Sequence, residues 1–194
     1  MSYLPSTEEL SQLEAKFSNR VIENPVIKDR ITVLKSHDDT NGEYLLAQLE
    51  VAPGGGNELH YHTSFTEKFS VIDGQLNVSL NGDEKVLKVG ESAFVPKLAH
   101  HRFYNTTDAY VTALVELRPA RNFEKAIRIG YGLARDGKVT PKAIPKSIWH
   151  LALLFQLGES YLPGLPLPIQ RGIFGTLASI AKLLGKDKEL EKYV

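Results

Sequence analysis

Apolar and polar positions change rhythm twice along this chain, and the changes divide it. Leu10, Leu13 and Phe17 fall on one helical stripe, and Ser6 with Glu9 has the spacing of a capping box, so residues 1–20 are predicted as a helical arm. From Val21 to Pro119 the apolar runs shorten and are broken by Gly, Asn and Asp, as in Ile31–Leu34, Tyr44–Val51, Phe69–Ile72, Gln75–Leu80 and Tyr110–Val115. Leu76, Val78 and Leu80 alternate with Asn77 and Ser79, the period of a half-buried strand. Asn81-Gly82, two residues that tolerate positive φ, then predicts a hairpin returning through Val86–Val89. Short strands at this spacing predict a mainly β, antiparallel sandwich or barrel over residues 21–119.

After Pro119 the period becomes helical. Phe123, Ala126, Ile127 and Tyr131 share a face, and Asp136-Gly137 supplies a stop. A second helix is expected from Ser147 through Trp149, Leu151, Leu154 and Phe155, then a Pro-rich loop over Tyr161–Pro168. A last helix carries Ile169, Ile173, Phe174, Leu177, Ile180 and Leu184. Residues 120–194 therefore read as a helical C-terminal extension.

Composition narrows the chemistry. With 23 Lys+Arg against 23 Asp+Glu, the chain has no basic surplus for general nucleic-acid binding. It has no Cys, which removes disulfides, thiolate metal sites and cysteine nucleophiles, so a metal would need His, Asp or Glu. Met1–Pro5 shows no basic or apolar signal region, and the apolar stretch Ile148–Gly158 is shorter than the roughly 18 residues of a membrane span, so a soluble cytoplasmic protein is expected. The neutrality is divided, however. Residues 1–120 carry 11 basic and 17 acidic residues, whereas residues 121–194 carry 12 and 6.

Four of the six histidines lie between His60 and His101. On a strand, His60 and His62 leave from one face, and Glu67 returns to that face after a short turn, in parity with Phe69 and Val71. His101 follows within Phe94–Tyr104. Taken singly, each His fits an ordinary surface or core role. Together, three imidazoles and a carboxylate make a nitrogen/oxygen set suited to Fe, Mn, Ni, Cu or Zn, with coordination positions left for a reactant. His100 should face away from His101. His37 and His150 read as surface or interface residues.

The spacing also resembles a known family. Gly54, five residues, His60-Tyr61-His62, four residues, Glu67, six residues and Gly74 match the first cupin motif in full. Gly90, five residues, Pro96, then His101, three residues and Asn105 match the second, except that Leu98 stands where the family has Gly. A spacer of 15 residues between Gly74 and Gly90, with no second pair of motifs, is similar to single-domain monocupins. The resemblance covers about half the chain. It implies a small antiparallel β-barrel of the jelly-roll type holding a divalent transition metal on His60, His62, Glu67 and His101.

In that setting Phe69, Val71, Phe94 and Phe103 are expected to wall a substrate pocket, and Glu67 is either a fourth ligand or a general base. Arg102 and Tyr104 should serve packing, and Asn105 should fix a turn. The leading expectation is a metal-dependent, dioxygenase-like enzyme acting on a small organic molecule. The alternatives are a non-catalytic binding or sensory protein, or a metal-dependent isomerase. A phosphorylated sugar is disfavoured because no Arg or Lys shares parity with the ligands. The helical extension is expected to cover the barrel or to build a homodimer, with peripheral membrane contact as its second reading. Because imidazole binds metal only when neutral, metal occupancy is expected to fall below pH about 6.5.

Overall fold

A computed structural model describes residues 20–194, so the helical arm predicted from Leu10, Leu13 and Phe17 lies outside the described residues. Strands β1 (Val21–Asn24), β2 (Asp29–Lys35), β3 (Leu45–Val51), β4 (Tyr61–His62), β5 (Thr66–Asp73), β6 (Gln75–Leu80), β7 (Asp83–Lys88), β8 (Ser92–Val95), β9 (His101–Tyr104) and β10 (Val111–Arg118) come first. Helices α1 (Phe123–Arg135), α2 (Ile148–Gly158) and α3 (Leu167–Leu183) follow, with β11 (Ser160–Tyr161) between the last two.

One sheet has six strands in the order β1-β2-β3-β10-β5-β8, a second has β7-β6-β9, and β4 pairs with β11. Alternation along β3 and β10 sets Leu45, Ala47 and Leu49 opposite Leu117, Val115 and Ala113. The next strand continues that row with Glu67, Phe69 and Val71. This row packs against Leu76, Val78, Leu87 and Phe103 of the smaller sheet to form the core. A carboxylate therefore stands in a row that is otherwise apolar.

The ladders do not close into a barrel, because β8 pairs only with β5 and β7 only with β6. Between β3 and β5 the chain runs through the Gly-rich segment 53–59 and the two-residue β4. It meets β9 there at the isolated bridges Gly56↔Tyr104 and His60↔His101 and through Asn57, whose amide donates to the Phe103 carbonyl, without forming a continuous ladder. The result is an open, jelly-roll-type pair of antiparallel sheets. The β6–β7 hairpin turns on Asn81 (φ 52°) and Gly82 (φ 92°), as the Asn-Gly pair requires, and the return strand starts at once at Asp83.

The helices build a second core from Ile129, Leu133, Ala152, Leu153, Ala178, Ala181 and Leu190, and the rings of Phe155 and Phe174 stack at 4.0 Å. Ser147 caps α2 by accepting from the His150 amide. His150 is buried rather than on the surface, because α2 turns it inward to Glu189, with Nε2 3.1 Å from Oε2. Gln170 is fully buried and ties down the Pro-rich loop. Its Nε2 donates to the carbonyls of Leu162 (2.9 Å) and Leu165 (2.7 Å), and its Oε1 accepts from the Leu162 amide (3.0 Å). Ile169, Ile173 and Leu183 of α3 remain exposed, and no helix among the described residues is long and apolar enough to cross a membrane.

Candidate metal centre

The antiparallel bridge His60↔His101 and the strand β4 bring the three sequence-distant imidazoles together. One nitrogen from each of His60, His62 and His101 lies within 4.8 Å of the others. His62 and His101 are buried, and His60 is partly exposed and lines a cavity. Glu67 reaches the cluster from β5, with Oε2 2.9 Å from His101 Nε2.

Hydrogen bonds decide which nitrogen each ring offers. His60 Nδ1 donates to the Glu58 carbonyl at 2.8 Å, and His101 Nδ1 donates to the Ala99 carbonyl at 3.0 Å. A carbonyl only accepts, so both rings carry their proton on Nδ1 and turn Nε2 into the cluster. His62 Nδ1 lies 3.2 Å from Ser160 Oγ, and that hydroxyl itself donates to the Gly158 carbonyl at 3.2 Å. Ser160 therefore accepts from His62, and His62 also presents Nε2.

The donor atoms stand at separations a common ion would impose. His60 Nε2 and His62 Nε2 are 3.1 Å apart, and His101 Nε2 and Glu67 Oε2 are 2.9 Å apart. Two bonds of about 2.1 Å at right angles separate their donors by about 3 Å. The three imidazoles thus fit a divalent transition metal, with Glu67 joined to them through His101.

Electrostatics support the same reading for two of the rings. Burial, with the neighbouring His101 adding to it, lowers His60 to about 4, and burial with His60 beside it takes His62 well below the ordinary range. Both are neutral at pH 7, as ligation requires. Burial also opposes protonation of His101, but the hydrogen bond and charge of Glu67 outweigh it and raise its pKa.

A cavity of about 310 Å³ opens beside this cluster, and His60 and Glu67 form part of its wall. Phe69 and Phe103 line it, as do Leu45, Ala47, Leu49 and Leu117. Val71 is fully buried in the core and is not among the lining residues. Phe94 needs a correction. It faces outward and is 58% exposed, because on β8 Ala93 and Val95 take the inward positions. Asn24, Ile27, Ile31 and Asn57 also line it, and the extension adds Phe123, Ala126 and Tyr131 of α1, Leu151, Leu154 and Phe155 of α2, and then Ser160.

The remaining motif residues have structural work. His100 and His37 are exposed. Tyr104 donates to Glu84 at 2.7 Å on the outer face, and Arg102 pairs with the same carboxylate. Asn105 is buried and fixes its turn by donating to the carbonyls of Val51 and Ala109 and accepting from Thr107. Ser160 was not foreseen from the sequence. It lies 98 positions from His62, and a single Ser after a helix carries no spacing signal.

Comparisons with known proteins agree with this arrangement. A family model described as "Cupin domain" matches residues 47–116. An uncharacterized protein of Aquifex aeolicus (strain VF5) is 29% identical over 101 residues, covering 52% of this chain and 79% of its own. The tetracenomycin polyketide synthase protein TcmJ of Streptomyces glaucescens is 31% identical over 74 residues, covering 38% of this chain and half of its own. An RmlC-like cupin from Shewanella frigidimarina has 24% identity and a TM-score of 0.46 over 54% of this chain and 89% of its own. Residues 47–116, the segment that matches the cupin domain family, hold all four candidate donor residues, His60, His62, Glu67 and His101.

Proposed function

We propose that this chain is a metal-dependent enzyme that oxidises a small organic molecule with dioxygen, using a divalent transition metal held by His60, His62, His101 and Glu67. One observation carries the reading. His60 and Glu67 form part of the wall of a largely apolar cavity, so a molecule filling it touches the donor cluster. When bound, an iron or manganese ion polarises a substrate oxygen and couples substrate oxidation to dioxygen. The chain's own part is to supply three Nε2 lone pairs, to hold His60 and His62 neutral, and to keep water away with the apolar wall. Glu67 serves as the fourth donor, or as a base if it leaves the ion.

No described residue lining the cavity is Lys or Arg, which argues against an isomerase acting on a sugar phosphate. The test is elemental analysis of natively purified protein, followed by oxygen-uptake screening of small organic molecules with the metal found. Stoichiometric iron or manganese with substrate-dependent oxygen uptake is expected. No stoichiometric metal, or a zinc protein with no oxygen uptake, overturns the proposal.

A further inference from the structure

The cavity has a second polar feature that the metal centre does not use. Tyr131 of α1 lines the wall and its hydroxyl donates to Asp29 Oδ2 of β2 at 2.5 Å. Both residues are buried, and the other oxygen of that carboxylate, Asp29 Oδ1, is buried with no hydrogen-bond partner. A phenol has one proton, and here Asp29 takes it. What Tyr131 offers to a molecule in the cavity is therefore an oxygen lone pair, an acceptor. A polar group buried beside it without donating would leave both oxygens unsatisfied, at the cost of a lost hydrogen bond.

The rest of the wall sets the remaining chemistry. Phe69, Phe103, Phe123 and Phe155 give flat apolar surfaces, and the absence of Lys and Arg among the described lining residues leaves an anionic group no side-chain counter-charge beyond the metal centre itself. The volume of about 310 Å³ is at the small end of sites for organic ligands, enough for a ring system rather than a long chain.

We infer that the cavity takes an uncharged, largely apolar ring compound bearing an O–H or N–H group, and that Tyr131, positioned by Asp29, accepts that group's hydrogen bond. The inference rests on the cavity being the substrate site of the proposed function, and it adds the substrate class and the residue that reads it.

The test is calorimetric titration of the full chain, metal-loaded and after stripping with a chelator, using three probes. The first two are 2-naphthol and 2-fluoronaphthalene, matched in shape but differing in the O–H donor, and the third is glucose 6-phosphate. Binding of 2-naphthol roughly tenfold tighter than 2-fluoronaphthalene is expected in both metal states, with no binding of glucose 6-phosphate. In Tyr131→Phe that preference should fall to about twofold or less. Since this variant strands the Asp29 carboxylate, the double variant Asp29→Leu/Tyr131→Phe removes both groups and should behave alike, with circular dichroism reporting the fold. The inference is overturned if the preference survives in the folded variants, if it disappears when the metal is stripped, if glucose 6-phosphate binds, or if neither naphthalene binds. Failure of the metal reading is a separate result: no stoichiometric metal in a chain whose naphthol preference persists.

Discussion

Ser160 Oγ, beyond the second helix of the extension, sits 3.2 Å from Nδ1 of His62, a residue of the first motif 98 positions earlier. Two features hold it there. The antiparallel pair β4–β11 sets Ser160 opposite His62 in register. Glu159, just before it, takes a left-handed conformation (φ 45°) that ends α2 and turns the chain onto β4. The extension therefore orients the donor cluster as well as covering it, since Ser160 and the Glu159 backbone both hold the His62 ring.

Removing that hydroxyl should weaken metal binding without unfolding the chain. Ser160→Ala removes one of the two anchors of the His62 ring, the Glu159 backbone being the other, and losses of about tenfold in affinity accompany such changes beside a ligand histidine. Ser160→Thr keeps the hydroxyl and should stay close to the parent. Competition with a chelator for Co²⁺ or Zn²⁺ measures both, and an alanine variant that binds as tightly as the parent would remove Ser160 from the site.

The raised pKa of His101 and the lowered values of His60 and His62 predict how many protons the metal displaces. At pH 6 the metal-free chain holds a proton on His101, where Glu67 overcomes the effect of burial, and none on His60, which burial has lowered to about 4. Metal uptake at pH 6 should then release about one proton. Affinity should fall as pH drops through the His101 range and fall more steeply only near pH 4. The loss therefore begins above the pH of about 6.5 expected for ordinary imidazoles, because of His101, and is steepest near pH 4. Calorimetry in buffers of different ionisation enthalpy counts the protons, and release of two or three at pH 6 would mean that burial does not hold His60 and His62 neutral.

Most of the strand framework is legible in the sequence because alternation is local. Leu76, Val78 and Leu80 announce β6, and Asn81-Gly82 announces the turn after it. The four candidate ligands are legible for the same reason, since three of them fall within eight residues on a strand-and-turn pattern. Phe94 misleads because Ala93, Phe94 and Val95 are all apolar, so alternation alone does not say which faces in. The β-barrel misleads because closure depends on continuous ladders between distant segments, and the segment before β4 meets β9 at isolated bridges rather than along a ladder. Ser160, Tyr131 and Asp29 stay hidden since their importance comes from packing the extension onto the sheets, a long-range event with no spacing of its own.

Asp29 gives a stability prediction with a definite sign. Burial raises its pKa to about 7, against the lowering effect of the Tyr131 hydrogen bond, whereas in the unfolded chain it titrates near 3.8. Between those values the folded state keeps a proton that the unfolded state has lost, so this group makes the protein less stable as pH rises from about 4 to 7. Asp29→Asn removes the ionisation. Relative to the parent, the variant should gain stability across that window, by roughly 2–4 kcal/mol in total, and gain nothing more above it. The histidine contributions are the same in both chains and cancel in the comparison. Urea denaturation of the two metal-stripped chains at pH 4.5, 6 and 8 measures the difference, and a constant difference would mean that Asp29 is charged in the folded state throughout.

Leu98, where the cupin motif has Gly, adopts φ 69°, the left-handed region that disfavours residues with a Cβ. Its amide still donates to the His62 carbonyl at 2.7 Å, so this turn braces the strand that carries His62. The side chain is 58% exposed and returns little burial for the strain. Leu98→Gly relieves a cost of about 1–2 kcal/mol and gives back about 0.5–1 kcal/mol in extra freedom of the unfolded chain. A net gain of up to about 1 kcal/mol is expected, with metal affinity unchanged because the Leu98 amide remains. Denaturant melts of the metal-stripped parent and variant decide it, and a loss of stability would show that the leucine side chain packs usefully against the turn despite its exposure.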